Sequence, residues 1–202
     1  PIKINLLDTP GYFDFVGEVE EAMSVADAAI IVVNCKAGIE VGTEKAWELC
    51  EEYRLPRLIF VTNMDDDQAS FRELILKLEK RFGRKIAPFQ VPIRENEKFV
   101  GFVNVVKYTK KNLNIVRDAL IEAVAETSEE YMERYFSGEE FTQEEISAAL
   151  REHVTEGNIV PVLMGSGVNA QGFSHLLQAI DKYFPSPDKF ECVGVDVSTG
   201  ER

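Results

Sequence analysis

The chain has 202 residues, 45% of them hydrophobic, with 22 basic and 35 acidic side chains and a formal net charge of −13. That length suffices for a packed core, while the acidic balance argues against nonspecific attraction to a nucleic-acid backbone, and no sequence-specific DNA binding is expected. No apolar segment reaches membrane-spanning length, so no membrane partner is expected; Cys35, Cys50 and Cys192 are read as reduced thiols, in keeping with a cytoplasmic protein.

Ile2 to Leu7 predicts a short apolar strand, and Asp8-Thr9-Pro10-Gly11 directly behind it are turn-forming residues. Phe15 to Val25, Thr43 to Tyr53 and Phe71 to Phe82 carry apolar residues at helical spacing. Between them Ala28 to Asn34 and Arg57 to Thr62 are near-continuous apolar runs, and Ile159 to Met164 is another, followed by a helical pattern from Phe173 to Phe184. Runs of this kind suit central parallel strands covered on both faces. The alternation predicts an α/β fold, a doubly wound and mostly parallel sheet, which binds ligands at the carboxyl ends of its strands.

Three polar segments fall at such ends. Asp8 lies where sheets of the P-loop class hold Mg²⁺ through water, and Gly11 allows a main-chain N–H to approach a terminal phosphate, although the same residues form ordinary turns. Thr62-Asn63-Met64-Asp65 ends in a carboxylate able to accept paired hydrogen bonds from the guanine N1–H and 2-amino group, a donor pair that adenine lacks. Asp65, Asp66 and Asp67 equally make an acidic helix start that complements the helix dipole. A register shifted by one, Asn63 to Asp66, moves the loop away from its strand, and the first register is preferred. Gly165-Ser166-Gly167 offers main-chain N–H groups to guanine O6, or serves as a capping turn.

The stretch Ile4 to Phe15, the run Pro56 to Phe71, and Pro161 to Gly167 with Tyr183-Phe184-Pro185-Ser186-Pro187 downstream resemble bacterial elongation factor G and its paralogues, collinearly over roughly residues 2 to 188. The resemblance implies a translation-factor GTPase that binds GTP or GDP with Mg²⁺ and acts on the ribosome as a conformational switch. It implies that Asp8 holds Mg²⁺ through water, that Asp8, Thr9, Pro10, Gly11 and Tyr12 line the nucleotide phosphate, and that Thr62, Asn63, Met64 and Asp65 read guanine together with Ser166, Gly167 and Val168. Two positions depart from the family. Tyr12 stands where the family has the His that positions the attacking water. A phenol, with a reference pKa of about 10, cannot supply imidazolium-like stabilisation, so weak or differently organised hydrolysis is expected. Tyr12 is equally readable as an apolar anchor beside Phe13 and Phe15. At the base, Asn63 replaces the Lys whose stem covers the ring and Thr62 replaces Asn, which predicts weaker nucleotide affinity.

Asp65 and Ser166 lie 101 positions apart, whereas one helix and one strand need about 25 to 40 residues. The excess reads as two strands, Pro88 to Ile93 and Phe99 to Val106, then two helices, Val116 to Tyr135 and Thr142 to Val154, with Ser137-Gly138 as the break. This is similar to the α+β subdomain carried inside the G domain of elongation factor G. The expected organisation is an incomplete GTP-binding core at 1–87 and 157–187, an inserted subdomain at 88–156, and a linker or further domain start at 188–202, with Cys192 to Val197 strand-like. Twelve carboxylates crowd the insert between Asp118 and Glu156 against Arg134 and Arg151; they form a solvated face or, by resemblance, a docking surface for the large-subunit stalk protein of the ribosome.

No G-x-x-x-x-G-K-[ST] occurs in the chain. The sequence is therefore read as a fragment whose sheet is truncated at its N-terminal edge and which is itself expected to be inactive as an enzyme. Two other functions are compatible with the same motifs: a non-hydrolysing ribosome-binding or regulatory module, and a ribosome protection factor of the tetracycline-resistance type. His153 and His175 have no neighbours at metal-ligand spacing and are expected to be structural.

Overall fold

The structure, a computed structural model, describes residues 2–96, 98–105, 120–122, 124–126 and 128–189. Four parallel strands form the central sheet: β1 (Ala29–Asn34), β2 (Arg57–Thr62), β3 (Ile86–Pro88) and β6 (Val160–Met164), in the spatial order β1-β2-β6-β3. Between β3 and β6 in the chain, β4 (Gln90–Glu95) and β5 (Lys98–Asn104) make an antiparallel hairpin. The helices are α1 (Val16–Val25), α2 (Val41–Glu52), α3 (Phe71–Phe82), α4 (Glu129–Ser137), α5 (Gln143–Thr155) and α6 (Phe173–Tyr183).

Side chains alternate across a strand, so the apolar runs supply two cores at once. Ile31, Val33, Ile59, Val61, Val160 and Val162 face one layer, where they meet Trp47 and Cys50 of α2 and Leu74 and Leu78 of α3. Leu58, Phe60 and Leu163 face the other, where Ile146, Leu150 and Val154 of α5 and Ala179 and Tyr183 of α6 cover them. Strand β2 is buried at every residue but its last, as a central strand should be. Strand β1 is at the edge, and its Val32 is 61% exposed.

The apolar strand expected at Ile2 to Leu7 does not form. Residues 2–11 are neither helix nor strand, and Ile2, Leu6 and Leu7 are exposed. An extended segment becomes a strand only where a neighbour accepts its ladder hydrogen bonds, and among the described residues none pairs with it.

Pro88 belongs to β3 in the main sheet and not to the hairpin, where the apolar pattern alone would place it; as an edge strand β3 tolerates a proline. The long helix expected over Val116 to Tyr135 is interrupted. Residues 120–122 and 124–125 are helical, but Ser128 then caps a new helix, its hydroxyl accepting from the Tyr131 N–H at 3.1 Å. The part of that expectation at 116–119, the strand end at Val106 and the strand-like Cys192 to Val197 lie outside the described residues.

Candidate functional site

The carboxyl edge of the sheet gathers three loops. Register sets them side by side, because Asn34 pairs with Thr62 and Val61 with Met164. Main-chain bonds then tie the loops together: Cys35 N–H donates to Thr62 O at 3.0 Å, Gly165 N–H to Val61 O at 2.8 Å, and Met64 N–H to Gly165 O at 3.3 Å. Two of the three segments singled out in the sequence, Thr62 to Asp65 and Ser166 to Val168, therefore meet at one strand end.

In the first loop the Asn34 carboxamide oxygen accepts from the Lys36 and Ala37 N–H groups at 2.9 and 3.2 Å, an Asx turn that ends β1. Lys36 then reaches across to Asp66, with Nζ 3.4 Å from Oδ2. In the second loop Asn63 sits at φ +58°, a left-handed conformation that Asn tolerates better than most residues. Asp65 and Asp66 have opposite surroundings. Asp66 Oδ1 accepts the Gln68 N–H at 2.8 Å, and this bond, helped by Lys36, holds its carboxyl below the usual carboxylate value. Asp65 Oδ1, by contrast, is buried and meets no donor among the described residues. A buried carboxylate oxygen left without a donor is costly unless a ligand supplies one. The paired donors of a guanine edge have the chemistry to meet that need.

The third loop is built on two glycines. A Cβ on Gly165 would lie 2.4 Å from Gln171 O and 2.7 Å from the Phe60 ring, and one on Gly172, at φ +92°, would lie 2.4 Å from Met164 O. Ser166 is fully buried, and its N–H is already engaged with Gln171 O at 3.1 Å while its hydroxyl accepts from the Asn169 N–H. The Ser166 N–H is thus not free for guanine O6. Gly167 and Val168 are exposed at the turn beyond it.

Behind both loops stands the β4–β5 hairpin. Gln90 Oε1 accepts the Met164 N–H at 2.8 Å, and Arg94 donates to Met64 O at 3.3 Å and Ala69 O at 2.8 Å. Sequence reading did not find Asn34, Lys36, Gln90, Arg94, Gln171 or Gly172. Only Asn34, in front of Cys35-Lys36-Ala37-Gly38, carried a local turn signal. Cys35 is buried against this edge, and burial pushes its thiol up to about 11, which makes it an unreactive packing residue.

Asp8, Thr9, Pro10, Gly11 and Tyr12 lie in the exposed segment that precedes α1, with Tyr12 78% exposed. No hydrogen bond joins them to Asp65 or Ser166 among the described residues, and no cluster of three His, Cys, Asp or Glu side chains there has metal-binding geometry. Asp8 supplies one exposed carboxylate there, the ligand type that a Mg²⁺ ion takes.

Parallel strands with helices on both faces define a doubly wound domain of the P-loop GTPase class. Residues 1–186 match the family described as the elongation factor Tu GTP binding domain, and the chain belongs to that family. It is similar to the crystal structure of a protein from Thermus thermophilus, with a TM-score of 0.81 and 34% identity. The match covers 90% of this chain and 30% of that one, so this chain spans less than a third of the matched protein's length.

Proposed function

We propose that this chain supplies the guanine-reading half of a translation-factor GTPase of the elongation factor G type, a GTP-dependent switch acting on the ribosome in the cytoplasm. The single observation that carries the reading is Asp65 Oδ1, buried and without a donor among the described residues, just beyond the end of a central parallel strand. In this reading Asp65 accepts the guanine N1–H and 2-amino group, Thr62, Asn63 and Met64 shape the loop, and the Gly167 and Val168 N–H groups meet O6 beside Ser166. Asp8 would hold Mg²⁺ through water, and Thr9, Pro10 and Gly11 would adjoin the γ-phosphate. With the ion bound, its charge would offset that developing on the transferred phosphoryl group.

The insert of 88–156 provides the proposed contact with the ribosomal stalk protein. Helix α4 carries Glu129, Glu130 and Glu133 on its exposed surface, together with Phe136 at 79% exposure, an acidic face with an aromatic anchor suited to a basic, partly apolar partner.

The test is Asp65→Asn in the full-length protein. Asn keeps one acceptor and adds an amide donor, so guanine nucleotides should bind at least about 100-fold more weakly. Xanthine nucleotides, whose 2-oxo group accepts that donor, should gain. Equal guanine affinity in wild type and variant would refute the base-reading role. A second reading, a switch that binds GTP without hydrolysing it, is favoured by Tyr12 at the water-positioning site. Single-turnover hydrolysis with and without ribosomes separates the two, and restoration of activity by Tyr12→His would locate the defect at that residue.

A further inference from the structure

We propose that the β4–β5 hairpin is a clamp that sets the lifetime of bound guanine nucleotide, with Arg94 as its positioning residue. The inference rests on the base-reading assignment of Asp65. The Arg94 guanidinium donates to Met64 O at 3.3 Å and to Ala69 O at 2.8 Å, the carbonyls on either side of Asp65-Asp66-Asp67. Within that segment the loop's own main-chain bonds are the turn contacts Asp66 N–H to Asn63 O at 3.2 Å and Ala69 N–H to Asp66 O at 3.0 Å. One charged group therefore bridges both ends of the loop that presents the base-reading carboxylate. Both bonds leave the same nitrogen, Nη2, and charge-assisted bonds of this kind are about twice as strong as neutral ones.

The hairpin is shaped to deliver that group. Its ladder slips between Ile93 and Arg94: Ile93 faces Gly101 while Arg94 faces Phe99, which leaves Val100 as the extra residue on β5. A bulge of this kind re-aims the side chains around it. At its base the same hairpin is fixed to the sheet, because the fully buried Gln90 accepts the Met164 N–H one residue before Gly165-Ser166. Both loops proposed to read guanine are thus tied to one element, the hairpin. The consequence is kinetic. Loosening Arg94 frees the Asp65 loop to leave the base, which accelerates release and leaves phosphate chemistry untouched.

The experiment uses full-length protein and a fluorescent GDP analogue chased with unlabelled GDP. Arg94→Ala removes both bonds and should raise the dissociation rate at least about tenfold, the factor that loss of even one charge-assisted hydrogen bond carries, with association within about twofold of wild type. Arg94→Lys, which keeps a cation but not the planar guanidinium, should recover part of the loss. Amide hydrogen exchange gives a readout without nucleotide: in the Ala variant the Asp66 and Ala69 amides should exchange faster while those of β2 do not. If Arg94→Ala folds poorly, Arg94→Gln should give the same acceleration at lower structural cost. Dissociation within twofold of wild type, or exchange that speeds equally through β2 and β6, overturns the clamp. A wild-type protein that binds no guanine nucleotide overturns the base-reading assignment instead, and is recognised before any variant is made.

Discussion

Gln90 and Met164 are joined by a hydrogen bond in which the Met164 main-chain N–H donates to Gln90 Oε1 at 2.8 Å, and both residues are completely buried. Gln90 Nε2 has no partner among the described residues. A small cavity beside it, about 50 Å³ and lined also by Asn104, His175 and Tyr183, has room for a hydrogen-bonding water. Gln90→Met should cost about 1 kcal/mol by denaturant unfolding, since the Met164 N–H loses its acceptor while the unpaired amide disappears with it. Gln90→Glu should cost more at neutral pH, because it buries a charge, and should regain stability as the pH falls and the carboxyl takes up a proton.

Gly165 and Gly167 separate packing from flexibility in one loop. At Gly165 a methyl group would collide with the Gln171 carbonyl and the Phe60 ring, whereas at Gly167 no atom lies within 4 Å. Gly165→Ala should destabilise by about 1–3 kcal/mol and push the Ser166 to Gln171 turn off β6. Gly167→Ala should leave the melting temperature within about a degree, and any loss of guanine affinity it causes would report on contact with the base instead of on the fold.

What the sequence made legible was local. Arg57 to Thr62, the segment from Ile159 and helix α3 were all readable, because long apolar runs and the spacing of Phe71, Leu74, Ile75, Leu78 and Phe82 encode burial directly. Ile2 to Leu7 has the same apolar character yet forms no strand, since pairing is a property of the neighbour and not of the segment. Ile86 to Pro88 is too short for a period to register. Asp65 and Ser166 were legible as loop residues after strands, but Arg94 and Gln90, which bond the main chain of those segments, act through tertiary contacts without a local pattern.

Helix α5 begins in a reciprocal cap. Thr142 Oγ1 accepts the Glu145 N–H at 3.2 Å, Glu145 Oε2 accepts the Thr142 N–H at 2.8 Å, and Arg134 of α4 binds both Glu145 oxygens at 2.8 and 3.3 Å. Arg134 first, and then the Thr142 donors, depress the Glu145 carboxyl from 4.5 to about 2. A depressed pKa contributes stability that is present above the unfolded value and lost as the pH falls through the folded one. The α4–α5 junction should therefore weaken between about pH 4.5 and pH 2, visible as a falling melting temperature. Glu145→Gln should flatten that portion of the profile, and Thr142→Ala should cost about 1 kcal/mol at neutral pH.

On the opposite layer Arg57 is buried at 2% exposure, with its guanidinium carbon 4.2 Å from the centre of the Trp47 ring and an ion pair to Glu51. Lys85 shares the same carboxylate at 2.5 Å and also lies over Trp47. Burial works to raise the Glu51 carboxyl, but Lys85 and Arg57 together outweigh it and leave it lowered. Since Glu51 is half exposed, solvent screens the pair, and Glu51→Gln should cost only about 1–2 kcal/mol, most of it from leaving the Arg57 cation buried without a counter-charge. Arg57→Met should cost less than Glu51→Gln, because the thioether keeps the packing on Trp47, the unpartnered Arg57 Nε is removed and Glu51 retains Lys85. If Arg57→Met proved the more damaging of the two in denaturant unfolding, the cation held over the indole would be a net source of stability, and desolvation would not be what dominates at Arg57.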